Sequence, residues 1–216
     1  RPVSDEVSIE KLEIRTAAFD GRYIQRAAHR QSGELTLRPN AGGQRWVELQ
    51  SRLTLRPGRY EVRVAAEASH SAGGVFVQVD IPDFSRSRFS ISGLVLGRSR
   101  SGASDLFADL IPVRPTAARV LPSTTPVTAF LRGYQGGRET PRPIQVRARI
   151  ADTAGHLVFE EKAELGAAVF GSARAADYRI ELPLARLGNG EHLLTVEATD
   201  AGTTLRRDVR FTVIRE

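Results

Sequence analysis

The residues of this chain that could do chemistry are few, and the most suggestive sit in one loop. In "VDIPDFSRS", directly after an apolar strand, Asp83, Ser85 and Ser87 supply a carboxylate and two hydroxyls, oxygen donors of the kind that bind a divalent cation. Three oxygens from one short loop are half or less of the roughly six to eight that Ca²⁺ takes, and no second acidic segment is placed to complete the shell. Pro82 ends the strand and "RFSISGLVLGR" resumes β alternation, so the pattern reads as a strand end and no metal site is expected. In "GLVLGRS", Gly93, Gly97, Arg98 and Ser99 line up loosely with a phosphate loop. The match is one residue short, has arginine where lysine is needed, and precedes no helix signal.

Nucleophilic catalysis needs a nucleophile, a base and an orienting group held at a recognisable turn. There is no G-x-S-x-G and no cysteine, and His29, His70, His156 and His192 are scattered without ligand spacing. His192 falls on an inward strand position and reads as a core residue; the other three read as loop or surface histidines. Glu160 and Glu161 are adjacent, so on a strand they face opposite sides and cannot form a carboxylate pair. Neither catalysis nor a cofactor is expected. Sugar-binding sandwiches use exposed aromatic platforms, but only 6% of the residues are aromatic and most fall at inward strand positions, leaving Trp46 as the one candidate platform.

What must position these residues is a β scaffold. In "LRPGRYEVRVAAEA", Tyr60, Val62, Val64 and Ala66 point one way and Arg59, Glu61, Arg63 and Ala65 the other. Pro57-Gly58 supplies a reversal after an alternating strand that begins near Trp46 and ends at Leu53 and Leu55. Val75, Val77, Val79 and Ile81 then share a face, completing an expected three-stranded meander. Upstream, Leu12 and Ile14 lead to an Asp20-Gly21 turn, with Tyr23 returning in the opposite direction.

The same grammar recurs about 130 residues later. "LPLARLGNGEHLLTVEAT" aligns Leu182 and Leu184 with Leu53 and Leu55, Asn189-Gly190 with Pro57-Gly58, and His192, Leu194, Val196 and Ala198 with Tyr60, Val62, Val64 and Ala66. Val209, Phe211 and Val213 close the second copy. Val146, Ala148 and Ile150, with Leu157 and Phe159 beyond a turn, echo the first hairpin. The expected fold is therefore all-β, with two tandem sandwiches: domain 1 over 1–97, a Ser/Gly-rich linker over 98–110, and domain 2 over 111–216. Segments 89–96 and 104–112 cannot be assigned to either domain or to the linker.

Leu55-x-Pro57-Gly58-x-Tyr60 resembles the corner before strand F of immunoglobulin-like and fibronectin type III domains, where a tyrosine hydroxyl bonds back to upstream backbone. That resemblance implies a structural role for Pro57, Gly58 and Tyr60, and for Asn189 and Gly190 in the second copy, where His192 replaces the tyrosine. Over a longer span, Pro57, Gly58, Tyr60, Pro82, Asp83, Phe84, Ser92, Gly93, Leu94 and Leu96 resemble the C-terminal β region of bacterial, chiefly acidobacterial, von Willebrand factor type A-related proteins. This implies an extracytoplasmic protein, secreted, periplasmic or on the cell surface, with a type A domain on the N-terminal side of the same polypeptide. Type A domains hold a cation with D-x-S-x-S, but on an α/β sheet with a further threonine and aspartate that this β context does not offer.

Charge bears on partners. The formal net charge is +6, and it is even: residues 1–110 carry 16 basic and 13 acidic side chains and residues 111–216 carry 15 and 12. No phosphate-spaced stripe is evident, so nucleic acid is not an expected partner. No apolar run approaches the ~18 residues that cross a bilayer. Opening at Arg1 and lacking methionine, the chain reads as a fragment or a processed product. The function expected is non-catalytic: a protein–protein interaction, adhesion or spacer region of an exported protein, with a carbohydrate-binding module as the alternative. An interaction module should expose an apolar or aromatic patch on a sheet face or loop cluster, whereas a spacer should show only mixed charge.

Overall fold

Side chains on a strand alternate faces, so a period-two pattern with one apolar phase buries one side of a sheet and wets the other. The computed structural model describes residues 8–37, 48–98 and 106–215. These are nearly all β, joined by turns and two short 3-10 segments. The chain divides into two units, Arg1–Asp83 and Phe84–Glu216.

In the first unit β1 (Ser8–Asp20), β2 (Gln25–Leu37), β3 (Gly58–Ala68) and β4 (Ser71–Ile81) form one antiparallel sheet in the order β2-β1-β3-β4. Asp20 builds the first turn, its Oδ1 accepting the backbone N–H groups of Arg22 and Ile24 at 2.9 and 3.0 Å. The Ile24 amide, and then the Arg26 guanidinium, hold this carboxyl below the usual carboxylate range. Ile14, Thr16, Ala18 and Tyr60 are buried on one face, which we call inner. Residues 48–57 are irregular rather than the strand expected to end at Leu53 and Leu55. The reason lies in where their polar groups go: the Thr16 hydroxyl donates to Ser51 Oγ at 3.0 Å, and the Gln31 amide donates to the Gln50 carbonyl and to Ser51 Oγ, so this segment lies across the inner face instead of joining a ladder.

The second unit holds two sheets around one core. One contains β11 (Leu157–Leu165), β10 (Ile144–Asp152), β13 (Gly190–Asp200), β14 (Thr203–Ile214) and β8 (Val120–Pro122), in that order. The other runs β12 (Ala175–Glu181), β9 (Thr128–Tyr134), β6 (Val95–Arg98), β7 (Arg114–Pro115), with β5 (Ser90–Ile91) also paired to β9. Val146, Ile150, Leu194, Val196 and Phe211 from the first meet Leu96, Leu131, Ala176, Tyr178 and Ile180 from the second in a single buried cluster. At the open edge, Tyr178 on β12 donates its hydroxyl to Glu161 on β11 at 3.0 Å; burial, reinforced by that carboxylate, pushes its ionisation well up.

The boundary differs from the one expected at residue 97. Ser90–Ile91 and Val95–Gly97 pair with β9, so 84–98 folds with the second unit. Alternation marks these residues as strand but carries no information on which sheet they join. A methyl on Gly97 would sit 2.7 Å from the Arg114 carbonyl oxygen, so a side-chain-free residue is what lets β6 and β7 approach.

The ladders of the two units correspond residue for residue at an offset of 132. Ile14 pairs with Ala66, and Val146 with Ala198 (14 to 146, 66 to 198). Tyr60 pairs with Val79, and His192 with Phe211 (60 to 192, 79 to 211). The bulge after Ala18 recurs after Ile150, 132 residues on (18 to 150). Asp152 repeats the Asp20 turn, accepting from Ala154 and His156 N–H at 2.9 and 2.8 Å. Leu187 is therefore the counterpart of Leu55, not Leu184 as the spacing of the sequence suggested. The 3-10 turn Leu184–Arg186 lies just before it. Beyond the second bulge Leu157 is turned outward and exposed, although alternation placed it inward.

Candidate functional site

The corner residues come first because they fix strand β3. Pro57 precedes Gly58, which opens the strand at φ 148, a backbone conformation that favours glycine. Two residues on, Tyr60 is 7% exposed and its hydroxyl donates to the Arg56 carbonyl at 3.0 Å. In the second unit Gly190 opens β13 at φ 124. Asn189 Oδ1 accepts the Arg215 backbone N–H at 3.3 Å, and His192, buried and stacked on Phe211, places Nδ1 3.0 Å from the Gly190 carbonyl.

With β3 fixed, the outer face of the first sheet is also fixed. Ala28, Ala17, Arg63 and Phe76 form one cross-strand row on it. The Arg63 guanidinium lies over the Phe19 ring, 4.6 Å from its centroid, a cation–π contact that holds the charged head to one side. Phe76, on the edge strand β4, is 70% exposed; Ala65 is exposed on the neighbouring strand, and Ala28 is exposed at the opposite edge of the sheet. The counterpart row in the second unit is Glu160, Arg149, Thr195 and Asp208. There the charges pair: Arg149 with Glu197 at 2.8 Å, Arg206 with Asp208 at 2.9 Å, and Arg147 with Glu160. Arg147 holds the Glu160 carboxyl below its ordinary range. Partial burial pushes the Asp208 carboxyl up, but the Thr195 hydroxyl and Arg206 outweigh it and bring it down. Along this row the first sheet thus carries two alanines, Arg63 and an exposed phenylalanine where the second carries paired charges, while the rest of its outer face is also salt-linked, Glu13 with Arg15 and Arg30, Glu61 with Arg63, and Arg59 with Asp80.

The other candidates are dispersed. Ser85 and Ser87 lie in a loop pinned to the second unit, their backbone carbonyls accepting Gly137 N–H at 2.8 Å and Gly136 N–H at 2.9 Å. Phe84 packs on Tyr134 with ring centroids 4.2 Å apart, while Asp83 closes the first unit. Among the described residues no group of three or more His, Asp or Glu side chains is placed to hold a metal ion. Gly93 lies just before β6 and Gly97 within it, and the exposed Arg98 ends it. His29, His70 and His156 fall on β2, in the β3–β4 turn and in the β10–β11 turn. Glu160 and Glu161 face opposite sides, one to Arg147 and the other to Tyr178. Trp46 and Ser99 lie outside the described residues.

Sequence reading passed over two features. Phe76 alternates with Val75 and Val77 and so lies outward, a position read only as the polar phase of its strand. The 135–142 loop is clamped by Gln135, whose amide exchanges two 2.7 Å hydrogen bonds with the Arg142 backbone, and by Arg174, which donates to the Gln135, Gly136 and Glu139 carbonyls. No local pattern announces it, since its members are up to 39 residues apart.

No family model matches the chain, and no curated protein does. Among solved structures, it is similar to dimeric latent PorU from Porphyromonas gingivalis, with 13% identity over 75% of this chain and a TM-score of 0.34. The chain spans 13% of the length of that protein. No helix among the described residues is long and apolar enough to cross a membrane.

Proposed function

We propose that this chain is a non-catalytic region of an exported protein, built as two tandem immunoglobulin-like or fibronectin type III-like sandwiches, and that it serves as a protein–protein interaction module through the outer face of its first sheet. The type A-related resemblance supports a position on the C-terminal side of a type A domain. The observation that carries the reading is the contrast at four outward positions of matching register. Where the second unit has Arg149, Glu160, Glu197 and Asp208, the first has Ala17, Ala28, Ala65 and the exposed Phe76. A spacer has no need of an exposed aromatic, whereas binding surfaces concentrate their energy on such residues, ringed by small neighbours that exclude water. The tyrosine corner and the constant 132-residue offset support the tandem arrangement.

Phe76→Asp, which supplies the residue found at the matching position of the second unit, tests the reading. Proteins from the producing cell's surface fraction are captured on the wild-type chain and on the variant, and each retained protein is titrated against both. At least one should lose about thirtyfold or more in affinity, the effect of losing an aromatic anchor (about 2 kcal/mol or more). Equal binding by both chains would return the first unit to a spacer.

A further inference from the structure

An edge strand carries one row of N–H and C=O groups with no ladder to join, and proteins that stay apart guard such rows with charge, proline or a bulge. β2 does so with Arg26, Arg30 and Glu34 and a bulge in its ladder, and β11 with Glu160, Lys162 and Glu164 and the matching bulge. β4 is unguarded. From Ser71 to Val79 it holds no charge and no proline, and it runs against β3 in unbroken register. Among the described residues no strand lies on its other side. Every residue from Ser71 to Gln78 is exposed, Val75 at 71% and Val77 at 56%. The matching stretch of β14 carries Arg206, Arg207, Asp208 and Arg210 where β4 has Gly74, Val75, Phe76 and Gln78.

We infer that the free edge of β4 pairs with the same edge of a second copy of this chain, antiparallel about a two-fold axis at Phe76. The inference rests on the interaction reading, since Phe76 stays the anchor and the second copy becomes its partner. The direction of the main-chain groups selects the register. In the second unit the Thr212 N–H donates to the Arg119 carbonyl and the Ile214 carbonyl accepts from the Ser123 N–H, so even positions of β14 face away from β13. Peptide groups alternate sides along a strand and the two ladders share one register, so Ala72, Gly74, Phe76, Gln78 and Asp80 turn theirs to the free edge of β4. Phe76 is also the midpoint of Ser71–Ile81, so a two-fold there pairs the strand along its whole length. It sets Phe76 against the partner's Phe76, Gln78 against the partner's Gly74 and Val77 against the partner's Val75, with no like charges opposed. The pairing forms about ten main-chain hydrogen bonds, uses up the edge in both copies and so closes as a dimer. An edge roughly 35 Å long and about 10 Å deep covers on the order of 350 Å² per copy, against the roughly 800 Å² of a standard interface, which makes the dimer a weak, concentration-dependent one.

Sedimentation equilibrium of the 216-residue chain from about 5 to about 500 µM, the range a small interface calls for, reads the association. The mass should rise from that of one chain toward that of two. Amide exchange followed by NMR over the same range should slow at Gly74, Phe76 and Gln78, whose N–H groups face the edge, and change little at Val75 and Val77, which already bond to β3. Gln78→Pro removes an edge-facing N–H and sets its ring where the second copy approaches, while the β3–β4 ladder and Phe76 stay in place. Its dimer should be at least tenfold weaker, and the wild-type exchange carries the test if that variant does not fold. One chain's mass at every concentration would overturn the inference. So would a dimer that Gln78→Pro leaves as tight, or one that adds no protection to those three amides. The two readings fail separately: a monomeric chain whose captured partners still leave Phe76→Asp loses only the second copy, whereas a monomer with unchanged capture loses the outer face as well.

Discussion

Removing the hydroxyl of Tyr60 isolates one hydrogen bond at the corner that fixes β3. In Tyr60→Phe the ring stays, so no cavity opens, and what disappears is the 3.0 Å donation to the Arg56 carbonyl. A net intramolecular hydrogen bond contributes about 0.5–1.5 kcal/mol, and an acceptor stranded away from water costs more. Arg56 is exposed, so water can take the vacated place on its carbonyl. The expected loss is therefore about 1 kcal/mol, not the ~3–5 kcal/mol of deleting a buried aromatic side chain, which Tyr60→Ala would approach. Hydrogen exchange read by mass spectrometry suits a chain of two units, because it assigns stability to particular strands. Amides of β1 and β3 that open with the first unit should exchange about fivefold faster in Tyr60→Phe, and those of β13 and β14 should not change. An unchanged rate in β3 would mean that the hydroxyl holds nothing. A loss above ~3 kcal/mol would mean that the Arg56 carbonyl is sealed from water, contrary to the geometry described.

Two further outcomes follow from local geometry. A methyl on Gly136 would lie 2.6 Å from the Ser85 carbonyl oxygen and 2.7 Å from that of Phe84; Gly136→Ala should destabilise the second unit by about 1–3 kcal/mol in urea titration, and an unchanged midpoint would show that the 84–88 loop is free to lift away. Asp20 and Asp152 have folded pKa values depressed first by backbone N–H donors, those of Ile24 and His156 respectively. Their stabilisation is present above the unfolded carboxylate value of about 4 and is lost as pH falls through the folded values. The melting-temperature gap between wild type and an Asp20→Asn/Asp152→Asn double variant should therefore narrow from about pH 6 to about pH 2.5, and a constant gap across that range would refute the assignment.

Sequence alone reveals strand phase here better than strand partnership. Tyr60, Val62 and Val64 fall on the inner side and Arg59, Glu61 and Arg63 on the other because a period of two is a property of neighbours in the chain. Whether "SISGLVLGR" joins the first or the second unit is decided by pairing with β9, 31 to 44 residues away, and by the Gly97 approach to β7, neither of which leaves a local trace. The recurrence of the hairpins is legible, but its register is not: leucines recur at Leu182, Leu184 and Leu187, and only the ladders single out Leu187 as the match for Leu55. The candidate surface escapes for a different reason. Phe76 becomes informative only once Ala17 and Ala28 are known to share its cross-strand row and Ala65 to flank it, and those alanines come from three different strands.

The constant offset separates what the two sheets must keep from what each can vary. Turns that rest on Asp20 and Asp152, a bulge at one place in the first hairpin and a glycine opening the strand after the corner set the ladder, and all are shared. The outward positions at 17, 28, 65 and 76 enter none of these devices. A lineage could therefore rewrite those four positions, trading paired charges for alanines and an exposed phenylalanine, by four codon changes that leave folding instructions intact. Specialisation of one module beside a conservative twin would then proceed without passing through an unstable intermediate.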